Sequence, residues 1–219
     1  MRKKYPKIYL FIICLSLLEF SLSIRSSYGF FPKINEPNKQ ELESTSIQIG
    51  KTAIQLIEFG QIDEAIKLLK LAVKLNPREK DLWLSLAEAQ IRSNRPYKAL
   101  SALDKAKILK PKEQSIYFRK ASIYLDLNDP KKAKIFIIKG LSINKNNERG
   151  YFLLGNTEIM LNNYKLALIA FKKSSKINSK FWQSINNEGL VLYELKNPKE
   201  AILKFRSALK ISNDAEPML

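Results

Sequence analysis

Five alanines stand 34 residues apart, at Ala65, Ala99, Ala133, Ala167 and Ala201. A second series of small residues keeps the same step, at Ala53, Ala87, Ala121, Gly155 and Gly189. Ten matches in one phase, with no insertion, define a repeating unit that cannot bury its apolar face alone and must stack on its neighbours. The larger apolar residues follow the same step. Leu69, Leu103, Ile137, Phe171 and Phe205 lie four residues after the first series, and Trp83, Tyr117 and Tyr151 lie four residues before members of the second. An i, i+4 pair shares a helix face. Each unit is therefore expected to hold two antiparallel helices, A and B, with the small residues facing each other where the backbones come closest. A larger side chain there would cost roughly 1–3 kcal/mol of overpacking.

The punctuation agrees. Arg95-Pro96, Asp129-Pro130 and Asn197-Pro198 place proline at the first position of helix B, where its missing N–H costs nothing. Asp129 and Asn197 are candidate caps for the same helix ends. Pro77 and Pro111 close helix B in the first two units, because the residue before a proline is pushed out of the α region.

These residues resemble the tetratricopeptide repeat (TPR), whose pattern runs W-x2-LG-x2-Y, then A-x3-F, then P. Unit two reads Trp83-x2-Leu86-Ala87, Ala99-x3-Leu103, Pro111, and unit four reads Tyr151-x2-Leu154-Gly155, Ala167-x3-Phe171. The closing proline is replaced by Lys145, Ser179 and Asn213 in units three to five, which should weaken those helix ends. The resemblance implies an all-α, right-handed α-solenoid of five tandem repeats at 46–79, 80–113, 114–147, 148–181 and 182–215. Residues 30–45 are expected to form a linker and N-terminal cap, and 216–219 a tail or the start of a sixth repeat. A solenoid needs a polar cap on its last apolar face. The few residues after 215 do not supply one, so the end is expected to be either continued in a longer protein or used for docking.

Function classes narrow by absence. There is no histidine, and the single cysteine, Cys14, lies in the first apolar run. The commonest general base and the commonest zinc ligand are missing, and so is a disulfide or thiolate nucleophile. No motif gathers carboxylates or lysines into a catalytic constellation, so the expectation is a non-enzyme with no cofactor and no metal.

Residues 1–7 read MRKKYPK, and an apolar run of 11 residues, IYLFIICLSLL, follows at 8–18. That length suits the core of a signal peptide, about 7–15 residues, better than a spanning helix of about 20. Ser27 and Gly29, or Ser21 and Ser23, would suit cleavage. Residues 1–29 are read as a signal peptide or as an anchor held by 8–24. In both cases Arg2, Lys3, Lys4 and Lys7 should stay cytoplasmic and the repeats should lie outside the cytoplasm, in a periplasm or lumen.

In such a solenoid helix A lines the concave side. One row of candidate groove residues is Leu84, Phe118, Phe152 and Asn186; the next turn carries Ile54, Glu88, Ser122, Asn156 and Leu190. Phe118 and Phe152 could either meet a partner or pack between neighbouring A helices. Family members that grip chaperone C-termini carry Lys with Asn or Arg at these places; this chain does not, so that mode is not expected.

The formal net charge is +17, and it is unevenly spread. The first 14 residues of the five repeats hold 6 basic and 8 acidic residues, the remainder 25 basic and 8 acidic. The basic excess therefore falls on the turns and helix B. It suits an anionic membrane surface or a solvated lysine face. Nucleic acid is not expected, since aromatics are not interleaved with the basic residues. The expected function is a protein-binding scaffold or adaptor, exported or membrane-tethered. Its layout is similar to photosystem I assembly factors and to envelope-biogenesis adaptors. The alternative is a structural protein that self-associates through its uncapped last repeat.

Overall fold

The computed structural model describes residues 37–215. The apolar run at 8–24, its cleavage positions and the tail at 216–219 lie outside the described residues. Among the described residues there are ten helices and no strand. They are α1 (Lys39–Glu58), α2 (Ile62–Leu75), α3 (Lys80–Arg92), α4 (Pro96–Leu109), α5 (Gln114–Asp126), α6 (Pro130–Ile143), α7 (Glu148–Met160), α8 (Tyr164–Ile177), α9 (Trp182–Glu194) and α10 (Pro198–Ala215). Odd-numbered helices are the A helices and even-numbered ones the B helices. No helix among the described residues is long and apolar enough to cross a membrane.

Local chemistry sets the ends. Pro96, Pro130 and Pro198 open α4, α6 and α10. Asp129 Oδ1 accepts from the Lys132 N–H at 3.0 Å, and Asn197 Oδ1 from the Glu200 N–H at 3.4 Å. Where the closing proline is lost, an asparagine takes over the turn. Asn144 Oδ1 accepts from the Asn146 N–H at 2.8 Å and Asn178 Oδ1 from the Lys180 N–H at 3.0 Å, so α6 and α8 stop at the position where α2 and α4 stop. The prolines of the first two repeats have a second use. Trp83 Nε1 donates to the Pro77 carbonyl at 2.9 Å, and the Tyr117 hydroxyl to the Pro111 carbonyl at 2.7 Å. The aromatics of α3 and α5 thereby latch onto the turns before them.

The A–B turns share a feature that the hydrophobic pattern does not reveal. Gly60, Asn94, Asn128, Asn162 and Lys196 occupy one repeat position, and all have positive φ, from 55° at Asn94 to 77° at Gly60. Glycine and asparagine tolerate this left-handed conformation; lysine does so only with strain.

The two small series are both buried, and where helix A carries glycine a phenylalanine ring fills the space over it. At Gly155 a Cβ would meet the ring of Phe171, and at Gly189 the ring of Phe205, at 2.5 and 2.6 Å. Each ring belongs to the residue four positions after the alanine. The sizes are matched along the chain: alanine on helix A where that residue is Leu69, Leu103 or Ile137, glycine where it is phenylalanine.

The core is a succession of clusters. One runs from α1 to α5 around Leu69, Leu86 and Leu103. A second joins α5, α6 and α7 around Ala121, Ile137 and Tyr151. A third holds Ala167, Phe171 and Val191. Ion pairs lie among them. Lys120, buried, pairs with Asp104 of α4 at 2.7 Å; Glu158, buried, pairs with Lys134 of α6 at 2.7 Å; Glu188, fully buried, pairs with Lys204 of α10 at 2.6 Å.

Candidate protein-binding groove

The A-helix residues divide by direction. Leu84, Phe118 and Phe152 are half-buried and turn into the joints between helices. Leu84 packs on the first cluster. The Phe118 ring lies against Gly140 of α6 and Gly150 of α7; a Cβ on either glycine would come within 2.6 Å of it. The Phe152 ring sits between Phe171 and Phe181, at centroid distances of 5.9 and 5.1 Å. Gly50 occupies the same repeat position in α1, and its open space is filled by Leu82 of the next repeat. Leu84, Phe118 and Phe152 are consequently the wall behind the groove, with both rings and Gly50 fitted to neighbours of complementary size. The two rings find their partners in glycines and in other rings, not in each other.

The second row faces outward along the A helices. Glu88 accepts from Arg92 Nε at 3.0 Å and from Arg119 Nη1, one repeat on, at 2.7 Å. Burial raises its carboxyl pKa, but the two arginines outweigh that and hold it below the usual value. Asn156 Oδ1 accepts from Asn187 Nδ2, again one repeat on, at 3.0 Å, and Asn186 Nδ2 lies 3.5 Å from Asn187 Oδ1. Ser122 lies half-buried between these two links, and Ile54 and Leu190 are exposed at the two ends of the row. Arg119 and Asn187 were missed from sequence. They occupy one repeat position, two places after Tyr117 and five after Trp182, and that position carries no regular residue type to draw attention to it.

The surface that results has charged groups in repeats two and three, amides in repeats four and five, and apolar side chains at either end. It offers donors and acceptors that are already oriented, which suits a peptide backbone and polar side chains. Among the described residues, no group of three His, Cys, Asp or Glu could hold a metal ion.

This geometry defines a helical-repeat scaffold with a groove along its A helices. Residues 56–117 and 114–147 each match a family model described as tetratricopeptide repeat, and these residues are tetratricopeptide repeats. Solved structures share the fold. A crystal structure of MamA superposes with a TM-score of 0.67 at 20% identity, covering 74% of this chain and 95% of that one. MamA from Desulfovibrio magneticus RS-1 (residues 41 to the end) gives 0.70 at 16% identity, covering 78% and 97%. YrrB, described as a TPR protein with an unusual peptide-binding site, gives 0.60 at 16% identity, covering 77% and 87%. A search of curated protein sequences found no match.

Proposed function

We propose that the chain is a non-catalytic adaptor that holds a segment of a partner protein along its A helices, outside the cytoplasm, and serves the assembly of a membrane complex. The observation that carries this reading is the outward row of pre-oriented polar groups, Glu88 with Arg119 and Asn156 with Asn187. A partner segment lying along Glu88, Ser122 and Asn156 would meet hydrogen-bonding groups already held in place, so little side-chain entropy is lost on binding. Leu84, Phe118, Phe152 and Asn186 hold that row in position. YrrB, described as peptide-binding, shares the fold and supports the class. Export rests on the Arg2, Lys3, Lys4, Lys7 cluster ahead of the apolar run. A reporter fused after Leu219 that is active only in the cytoplasm would overturn it.

The groove is tested by capture from detergent-solubilised membranes followed by mass spectrometry. The variant is Ser122→Arg with Asn156→Arg, which fills the groove and leaves the rings in the wall. It should lose partners that the wild type retains, while Lys172→Ala with Lys173→Ala on helix B keeps them. Equal capture by both variants, with helical circular dichroism intact, removes the groove from the proposal.

A second reading has its own observation. Ile202 and Leu209 of α10 are exposed, while Leu100 and Leu141, at the equivalent positions of α4 and α6, are buried. This favours self-association through the last repeat. Capture of self-copies alone, with a mass that rises with concentration, would select it.

A further inference from the structure

We infer that the outer face of α6, α8 and α10 is a docking surface for an anionic lipid bilayer. The buried sides of α6 and α8 carry Ala133, Ile137 and Gly140, and Ala167, Phe171 and Ser174. On the opposite side, each of the three helices presents one stripe at i, i+4, i+7 and i+11: Lys131, Ile135, Ile138 and Ser142 on α6; Lys165, Ile169, Lys172 and Lys176 on α8; Lys199, Leu203, Arg206 and Lys210 on α10. All twelve are exposed.

Two properties of this face coincide. The first is an aliphatic row in register. Ile135, Ile169 and Leu203 occupy the same position in three successive repeats and are 52%, 62% and 64% exposed. Ile138 adds to the row on α6. The second is charge. Each of α6 and α8 carries four lysines and no carboxylate; α10 carries four basic residues, with Glu200 and Asp214 near its ends. Lys134 and Lys204 are taken up by Glu158 and Glu188, whereas Lys165, Lys172 and Lys176 form no ion pair among the described residues. Lys131, Lys165 and Lys199 border the aliphatic row on one side, and Lys172, Arg206, Lys176 and Lys210 on the other. A solvated lysine face has no use for a bare aliphatic row. A protein partner would be expected to bring carboxylates in register with three repeats. A bilayer meets both features at once: headgroup phosphates for the lysines and the acyl boundary for the aliphatic tips.

The first two repeats supply an internal control. At the position of the aliphatic row they carry Lys67 and Ser101, both exposed, and α2 and α4 include Asp63, Glu64 and Asp104; the stripe of α4 exposes Tyr97 and Ile108 at its two ends, but Ser101 and Asp104 part them. Docking should be confined to the C-terminal three repeats. This surface is independent of the groove, so either assignment can fail without the other.

The test uses the full chain with Cys14→Ser and one environment-sensitive fluorophore, on Ile169→Cys or on Ser101→Cys. Vesicles are phosphatidylcholine alone or phosphatidylcholine mixed with phosphatidylglycerol. The probe at 169 should shift to the blue and brighten with the anionic vesicles only, and the probe at 101 should stay in water. Neutralising Lys131, Lys165 and Lys199 to Gln should weaken the response at 169 by on the order of a hundredfold in lipid concentration, at about a factor of five per lysine. An equal response to phosphatidylcholine alone, equal responses at 101 and 169, or no response at either would each overturn the assignment. A shift at 169 that grows with protein concentration without vesicles would give the face to a second copy and overturn it as well.

Discussion

Gly155 lies directly beneath the ring of Phe171, so that a methyl group on Gly155 would come within 2.5 Å of Phe171 Cε1. The two residues are 16 apart, as are Ala87 and Leu103 in repeat two. The pair exchanges volume: the larger residue on helix B takes what the smaller one on helix A gives up. Gly155→Ala gains up to about 1 kcal/mol of helix propensity and meets overpacking of roughly 1–3 kcal/mol, so the single variant should be destabilised. Gly155→Ala with Phe171→Leu recreates the repeat-two arrangement. The double-mutant cycle, read by urea unfolding, should show a favourable coupling of about 1 kcal/mol or more. Additive effects would mean that the ring moves aside freely.

Lys196 has φ of 62° at the position that Gly60, Asn94, Asn128 and Asn162 fill in the other repeats. A left-handed conformation costs an ordinary residue roughly 1–2 kcal/mol, and asparagine tolerates it better. Lys196→Asn and Lys196→Gly should each raise stability by up to about 1 kcal/mol. The turn is exposed at this point, so no lost contact should offset the gain. Unchanged urea midpoints for both variants would refute the strain.

The period was legible because small residues at a close helix approach are nearly irreplaceable, and ten of them kept phase. The left-handed turn series kept the same phase but escaped notice, since Asn and Lys read as ordinary surface residues. Phe118 shows where a sequence reading stops. Its row and period follow from spacing alone, but the element that covers it depends on Gly140 and Gly150. Those glycines were themselves a signal: glycine within a helix costs up to about 1 kcal/mol against alanine, so it marks a close approach. The buried ion pairs were not legible. Lys120 stands where Leu86 and Leu154 stand in other repeats, and nothing local distinguishes a charge that finds a partner across a joint from one in solvent.

Two carboxyls tie the solenoid to pH. Burial raises the pKa of Asp104, but Lys120 at 2.7 Å and Lys107 at 3.0 Å outweigh it and hold the carboxyl below its ordinary 3.8. Glu88 is likewise held below its ordinary 4.5, with Arg92 and Arg119 outweighing burial. Unfolding returns each group to its ordinary value, so the unfolded state takes up protons first as pH falls. Their contribution is complete above about pH 4.5 and is lost as pH falls below 3.8 through the folded values. The stability gap between wild type and Glu88→Gln with Asp104→Asn should therefore be widest near neutrality and close in acid. A gap of the same size at both ends would show that the charges do not matter.

The Lys134–Glu158 pair joins α6 to α7 at 2.7 Å, with Glu158 buried and also accepting from Asn163 Nδ2 at 2.9 Å. The equivalent places one repeat later hold Leu168 and Leu192, 24 residues apart like Lys134 and Glu158. The joint can therefore be built from either chemistry. Lys134→Leu alone leaves a carboxylate without its cation in a site closed to water, and removing one partner of such a pair costs about 3–5 kcal/mol; Asn163 and the partial exposure of Lys134 place the expected loss at the low end. Lys134→Leu with Glu158→Leu copies the next joint and should recover most of that loss, or exceed wild type, because two desolvated charges are exchanged for apolar contact. Asn163 reaches solvent at the start of α8, so its amide can turn to water when the carboxylate is gone. Urea midpoints of the three variants decide the matter: recovery in the double variant identifies the pair as an interchangeable joint, and a double variant as unstable as the single one would mean that the ion pair itself sets the packing of α6 on α7.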